Sequence, residues 1–83
     1  MGANYPNPFN PSTTIEFTLP EQSEVVLMVY DVLGRQVAVL AEGEKPAGTY
    51  RIRWQAGNIP GGVYFYRLQA GSFTRILKMV LLH

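Results

Sequence analysis

The chain has 83 residues, of which 47% are hydrophobic and 16% are charged, and its formal net charge is +1. This size and composition indicate one small globular domain and exclude a disordered chain or a general attraction to nucleic acid or anionic membranes. The chain has no cysteine, so it cannot form disulfides, a thiolate metal site or a cysteine nucleophile. No apolar run approaches the ~20 residues of a membrane-spanning helix.

The amino-terminal residues are expected to be a cloning remnant followed by a proline-rich segment. Met1 and Gly2 lack the basic and apolar regions of a secretory signal. We therefore expect residues 1–3 to be a remnant or linker, and residues 4–83 to be the carboxy-terminal domain of a larger protein. The segment 4–12, NYPNPFNPS, is rich in proline and asparagine, which excludes a helix and favours extended or turn backbone.

Two strands are predicted next along the chain. Ile15, Phe17 and Leu19 alternate with polar residues, which indicates a half-buried strand that ends at Pro20. The run 25–30 is apolar on both faces, as is typical of a central strand that is covered on each side.

A hairpin is predicted after the second strand. Asp31 and Gly34 occupy the first and fourth positions of a type I turn, and Gly34 can adopt the positive φ that starts a bulge. The bulge leads into a strand over residues 36–41. A charged, proline-containing loop is expected over residues 42–48.

A strand over residues 49–56 alternates apolar and basic side chains, so it is predicted to be half buried. We expect it to pair with the following strand, because that arrangement places both apolar faces on one side. The expected neighbours are Trp54 with Tyr64, Tyr50 with Leu68, and Arg51 with Arg67 on the outer side.

The last third of the chain predicts a tight hairpin. Gly71-Ser72 between Ala70 and Phe73 suits a two-residue type II′ turn, which fixes the register of both strands. One face then pairs Tyr66 with Leu77, Tyr64 with Met79 and Leu68 with Arg75. The other face pairs Phe65 with Lys78, Val63 with Val80 and Arg67 with Ile76. The fold class that follows is all-β, a small antiparallel sandwich of about six to seven short strands.

The chain contains five motifs in the order YPNPFNPSTTIEFTLP, VYDVLGRQVAVL, AGTYRIRWQA, GGVYFYRLQAG and KMVLL. With these motifs it resembles the type A C-terminal sorting domain of the type IX secretion system. The resemblance implies an immunoglobulin-like β-sandwich, related to hook-capping domains, at the end of a larger secreted protein from Bacteroidota. The matching positions are Tyr5, Pro6, Asn7, Pro8, Asp31, Gly34, Arg35, Gly62, Val63, Tyr64, Lys78, Val80 and Leu81. Family members often end on a basic residue, where this chain has His83, which is either native or the first residue of a tag.

The resemblance also implies partners and a location. Outer-membrane secretion machinery would recognise the domain, and a sortase-like peptidase would remove it as the cargo is anchored or released. The cargo would cross the periplasm on its way to the cell surface or the medium. No cofactor, nucleic acid or small-molecule substrate is implied, and an exposed edge strand would also permit a dimer or strand exchange.

The residues argue against catalysis or metal binding. The chain has one histidine, at its end, and its carboxylates include Glu21, Glu24, Glu42 and Glu44, which are expected in loops. Calcium would need a dense cluster of oxygen ligands, and the sequence has no such motif.

Two sets of side chains could form binding surfaces, but each set has a simpler structural explanation. Trp54, Tyr50, Tyr64 and Tyr66 could form a sugar-stacking platform, but core packing explains their alternation better. Arg51, Arg53, Arg67 and Lys78 could contact nucleic acid, but a solvated sheet face explains four bases more simply.

One predicted face is more apolar than a solvated surface should be. Two explanations stay open: it is a docking surface, or the proline-rich amino-terminal segment covers it. The candidate recognition residues are Val63, Phe65, Arg67, Ile76, Lys78, Val80 and Leu82. The predicted function is a non-enzymatic sorting domain; the alternatives are a carbohydrate-binding accessory module and a structural sandwich domain of the hook-capping type.

Overall fold

The structure, a computed structural model, describes residues 12–57 and 59–82. These residues form six strands and no helix. The proline-rich segment as far as residue 11, with the family positions Tyr5, Pro6, Asn7 and Pro8, lies outside the described residues, as does His83. The strands are β1 (Ser12–Leu19), β2 (Ser23–Tyr30), β3 (Gln36–Lys45), β4 (Gly48–Gln55), β5 (Gly62–Ala70) and β6 (Phe73–Leu81).

The strands form two antiparallel sheets that pack face to face. One sheet contains β1 and β4, and the other has the order β3-β2-β5-β6. The predicted small all-β sandwich is therefore confirmed. β2 lies between β3 and β5, so it is a central strand, as its two apolar faces indicated.

The core lies between the two sheets and takes alternate residues from the strands that face each other. Phe17 of β1 stacks on Tyr50 of β4 with ring centroids 5.3 Å apart. Tyr66 is fully buried, and so is Met79, which reaches the core from the edge strand β6. The other buried apolar residues are Ile15, Leu19, Val25, Leu27, Val29, Trp54, Ala56, Tyr64, Leu68, Ala70 and Leu81.

The carboxy-terminal hairpin has the predicted register throughout. Ala70 pairs with Phe73, and every pair expected from that register is present. Gly71 has a φ of +59°, and no described non-glycine residue has a positive φ, so Ser72 meets the second requirement of a type II′ turn. The turn could be predicted because a two-residue connection leaves no freedom in strand pairing.

The β2–β3 hairpin is also confirmed and is held by its aspartate. Gly34 donates its N–H to the carbonyl of Asp31 at 3.0 Å, and Asp31 donates to the carbonyl of Arg35 at 3.0 Å. One carboxylate oxygen of Asp31 accepts the N–H groups of Leu33 and Arg35, each at 2.9 Å. The other accepts Nε of Arg35 at 2.8 Å. The turn geometry and its charge pair therefore depend on the same side chain.

The predicted pairing of the fourth and fifth strands is wrong. β4 pairs with β1, so that Trp54 lies opposite Thr13 and Tyr50 opposite Phe17. Trp54 nevertheless meets Tyr64, across the core and not within a sheet: their rings are 6.4 Å apart at 75°. The apolar inner faces predicted for β4 and β5 are correct. Two such faces can meet because the strands pair within one sheet or because two sheets pack against each other, and here the sheets pack.

Two further predictions need correction. β3 continues to Lys45, so the expected charged loop over residues 42–48 is mostly strand. Glu42 and Glu44 therefore lie in β3, and Glu24 lies in β2, not in loops. All three side chains are exposed, so water solvates their charges even though they lie in strands.

Replacing Gly34 with Val should lower the free energy of unfolding by about 1 kcal/mol or more, because φ is +79° there. A Cβ at this position would meet no atom within 4 Å, so backbone strain is the only expected cause. Thermal unfolding measures the effect. Gly34→Asn is the matched control and should lose less stability, since Asn tolerates this conformation. Equal melting curves for the wild type and Gly34→Val would contradict the turn assignment.

The Asp31 carboxylate should make stability depend on pH in the acidic range. The backbone N–H of Arg35, followed by the Arg35 side chain and the N–H of Leu33, lowers the pKa of Asp31 below its ordinary value of 3.8. The charged form is therefore favoured in the folded state, so its stabilising effect is present above that value and is lost as the pH falls through the folded pKa.

Urea unfolding of the wild type and Asp31→Asn across the acidic range would measure this dependence. The wild type should be the more stable protein at neutral pH, and the difference should shrink below about pH 4. A difference that stays constant with pH would show that the charge of Asp31 contributes nothing.

Candidate functional site

The four-stranded sheet has one face turned away from β1 and β4, which is here called the outer face. The register places Val63 opposite Val80 and Arg67 opposite Ile76, and it brings Lys78 opposite Phe65. Leu82 continues this alternation one residue beyond β6 and is 50% exposed, while Ile76 is 59% exposed. The structure thus brings together on one face all the recognition residues proposed from the sequence: Val63, Phe65, Arg67, Ile76, Lys78, Val80 and Leu82.

Strand β2 extends this surface with residues that sequence reasoning did not assign to it. Met28 pairs with Arg67, and Tyr30 pairs with Phe65, so both side chains belong to the outer face. Val39 of β3 lies opposite Met28 and is 41% exposed. The alternation of residues 25–30 indicated a second apolar face, but only the pairing of β2 with β5 shows that this face adjoins the hairpin.

Arg67 has an unusual environment near the middle of the outer face. Its guanidinium carbon lies 5.2 Å from the centroid of the Tyr30 ring, an approach typical of a cation–π contact. Its Nε is buried and has no hydrogen-bond partner among residues 12–57 and 59–82. The Tyr30 hydroxyl donates to the sulfur of Met28 at 3.0 Å, so it does not serve Arg67.

The four bases considered as a single patch are divided between opposite sides of the sandwich. Arg51 donates from Nε to the Glu16 carboxylate at 2.7 Å, and Arg53 donates to the Ser12 hydroxyl at 3.2 Å. Both lie on the β1–β4 sheet, so the expected proximity of Arg51 and Arg67 is wrong. The division leaves no four-base surface for nucleic acid.

The family positions within the described residues have structural explanations. Asp31, Gly34 and Arg35 build the β2–β3 turn. Gly62 begins β5 opposite Leu81. Tyr64 donates its hydroxyl to the carbonyl of Pro60 at 2.5 Å, an arrangement that matches the tyrosine corner of immunoglobulin-like sandwiches. These positions maintain the fold on which the outer face depends.

The aromatic side chains considered as a sugar-binding platform are largely unavailable. Trp54 is 8% exposed, Tyr64 6% and Tyr66 0%, while Tyr50 is partly buried against the core. A sugar ring would need a flat aromatic surface open to solvent, so these rings serve the core instead.

Across 12–57 and 59–82, no group of three or more His, Cys, Asp or Glu side chains could hold a metal ion. Within the same ranges, no helix is long and apolar enough to cross a membrane.

The fold is a small β-sandwich whose exposed large apolar side chains lie on the four-stranded sheet, its turn and its carboxy-terminal end. A sequence profile described as a secretion system C-terminal sorting domain matches residues 3–82, nearly the whole chain. The chain belongs to this family, whose members are the sorting signals of type IX secretion. No curated protein and no solved structure matches it.

Family membership confirms the resemblance found in the sequence. Sorting domains of this family belong to secreted cargo proteins in transit to the cell surface or the extracellular space, and they function with the type IX machinery. Nothing supports the carbohydrate-binding alternative.

The fluorescence of Trp54, the only tryptophan, should report a buried indole. At 8% exposure, its emission should be blue-shifted and iodide should quench it weakly. Free indole gives the reference for full quenching, and the domain unfolded in urea gives the exposed state of the same residue. Insoluble polysaccharides should not retain the domain; retention that depends on Trp54 would contradict the core assignment.

Proposed function

We propose that the secretion machinery at the outer membrane recognises this domain by binding its outer face, chiefly at strands β5 and β6. The domain has no catalytic part in this process. The supporting observation is that successive side chains of β6 face opposite sides of the sheet. Met79 and Leu81 are 0% and 1% exposed and complete the core, while the intervening side chains face away from it.

The composition of the outer face supports contact with a protein. Ile76 and Leu82 are at least half exposed, and Val63, Phe65 and Val80 are partly exposed beside them. Apolar side chains in such a group gain more from burial against a partner than from contact with water. The proline-rich amino-terminal segment stays an alternative cover for this face.

The edge of β6 offers a second mode of contact. Among the described strands, β6 pairs with β5 alone, so its other edge lies beside no described strand. A strand of the machinery could add to this edge, and a second copy of the domain could do the same. Both uses would leave the core side of β6 unchanged.

The proposed role implies an order of events in the secretion of the cargo. The cargo would pass through the periplasm with this domain folded, and the outer-membrane machinery would then engage it. A sortase-like peptidase would separate the domain from the cargo upstream of the sandwich, at the stage of surface attachment or release. Residues 4–83 would form the sorting signal that is removed from the cargo, and residues 1–3 would lie outside this signal.

The test compares outer-face variants with a core variant in a reporter fused to the domain. Ile76→Asp and Val80→Asp should reduce surface delivery by roughly tenfold, because each places a charge in an apolar contact. Lys78→Glu reverses a charge on the same face. Surface delivery should fall in all three, while thermal unfolding of each isolated domain should change little for Ile76→Asp and Lys78→Glu.

Met79→Asp is the control for misfolding, since it buries a charge in the core. Deletion of residues 78–83 should abolish delivery but is less informative, because it also removes Met79 and Leu81 from the core. If delivery follows thermal stability across all variants, the outer face has no recognition role of its own.

A further inference from the structure

A shallow groove of about 320 Å³ crosses the outer face where the β2–β3 turn meets strands β5 and β6. Val32, 65% exposed in the turn, and Ile76, 59% exposed in β6, contribute apolar side chains to it. The residues that matter for its chemistry are Tyr30, Asp31, Val32, Phe65, Arg67 and Ile76.

The charges in the groove are unbalanced. Asp31 lines it, but its carboxylate already accepts Nε of Arg35 and two backbone N–H groups. Arg67 also lines the groove, and no carboxylate in residues 12–57 and 59–82 forms an ion pair with it. The groove is therefore an apolar surface with one cation, Arg67, whose charge no described carboxylate balances.

A guanidinium forms its strongest hydrogen bonds with a carboxylate. The Tyr30 ring, 5.2 Å from the guanidinium carbon, restricts the orientation of the guanidinium. Less conformational freedom is therefore lost when a ligand binds. Residues 1–11 contain no aspartate or glutamate, so their side chains cannot supply the missing carboxylate.

We propose that this groove binds a carboxylate side chain of the partner protein, an Asp or Glu flanked by aliphatic residues. The carboxylate accepts hydrogen bonds from the guanidinium of Arg67, and the flanking side chains pack on Phe65, Ile76 and Val32. This inference rests on the proposed recognition role of the outer face and names the chemistry of the segment that the face receives.

The first experiment follows the Nε–Hε resonance of each arginine by NMR in the isolated 83-residue domain. The probe is acetyl-Ile-Glu-Ile-amide, and the matched control is acetyl-Ile-Gln-Ile-amide. The glutamate peptide should shift the Arg67 resonance in a saturable manner, and the glutamine peptide should bind about tenfold or more weakly. Equal shifts with both peptides, or the same shift at every arginine, would overturn the proposal.

The second experiment uses Arg67→Met, which keeps an apolar chain beside Tyr30 but removes the donor. Arg75→Met is the matched control, because Arg75 is exposed and pairs with Leu68, on the opposite side of the sheet. Only Arg67→Met should lose binding of the glutamate peptide and reduce delivery of the fused reporter. Thermal unfolding shows that both variants are folded.

The outcomes separate this inference from the proposed function. Normal delivery by Arg67→Met together with failure of Ile76→Asp would overturn the carboxylate site and leave the outer face as the recognition surface. Normal delivery by every outer-face variant would overturn both. Concentration-dependent dimerisation of the wild type that Arg67→Met abolishes would also overturn the proposal, because acids of a second copy would then fill the groove.

Discussion

Within the described residues, the structure depends on the burial of one face of a four-stranded sheet by the two strands of the other sheet. β1 and β4 cover the inner side of β2 and β5, where Leu27 and Tyr66 are fully buried. They cover the edge strand β6 only in part. Met79 is fully buried, but Phe73, which has the inward parity of Ala70, is 51% exposed. Because the domain is small, it needs most of its apolar side chains to form the core.

This limit gives the apolar residues of the outer face their significance. A small domain gains stability by placing apolar side chains in its core, yet Ile76 and Leu82 alternate with core residues and stay at least half exposed. Their position is understandable if a partner covers them during secretion. The family to which the chain belongs provides that setting, since a sorting domain must be recognised while it is attached to its cargo.

The same strand therefore has a folding role on one face and the proposed recognition role on the other. A two-residue period separates the two roles completely, because neighbouring side chains in a strand point to opposite sides of a sheet. The turn built by Asp31 and the corner built by Tyr64 have a different part. Each uses a local hydrogen bond to hold a connection at an end of the sheet.

Local features of the fold could be predicted from the sequence. Gly71-Ser72 leaves two residues for a hairpin connection, so the parity of the strands gives every pair from Ala70–Phe73 onward. Asp31 and Gly34 specify their turn through a side-chain acceptor and a positive φ, both properties of single residues. The grouping of the candidate residues on one face of β5 and β6 follows from the same parity.

The neighbours of β4, and the full extent of the outer face, were decided only by the tertiary structure. The alternation of Tyr50, Ile52 and Trp54 indicates which face is buried but not which strand lies beside it. For the same reason Trp54 and Tyr64 were correctly expected to be close, although they meet between sheets. The contact of Tyr30 with Arg67 likewise requires β2 beside β5, a long-range pairing that no local pattern encodes. Side-chain period and turn length are local properties of the chain, whereas the order of strands depends on how the whole apolar surface is best buried.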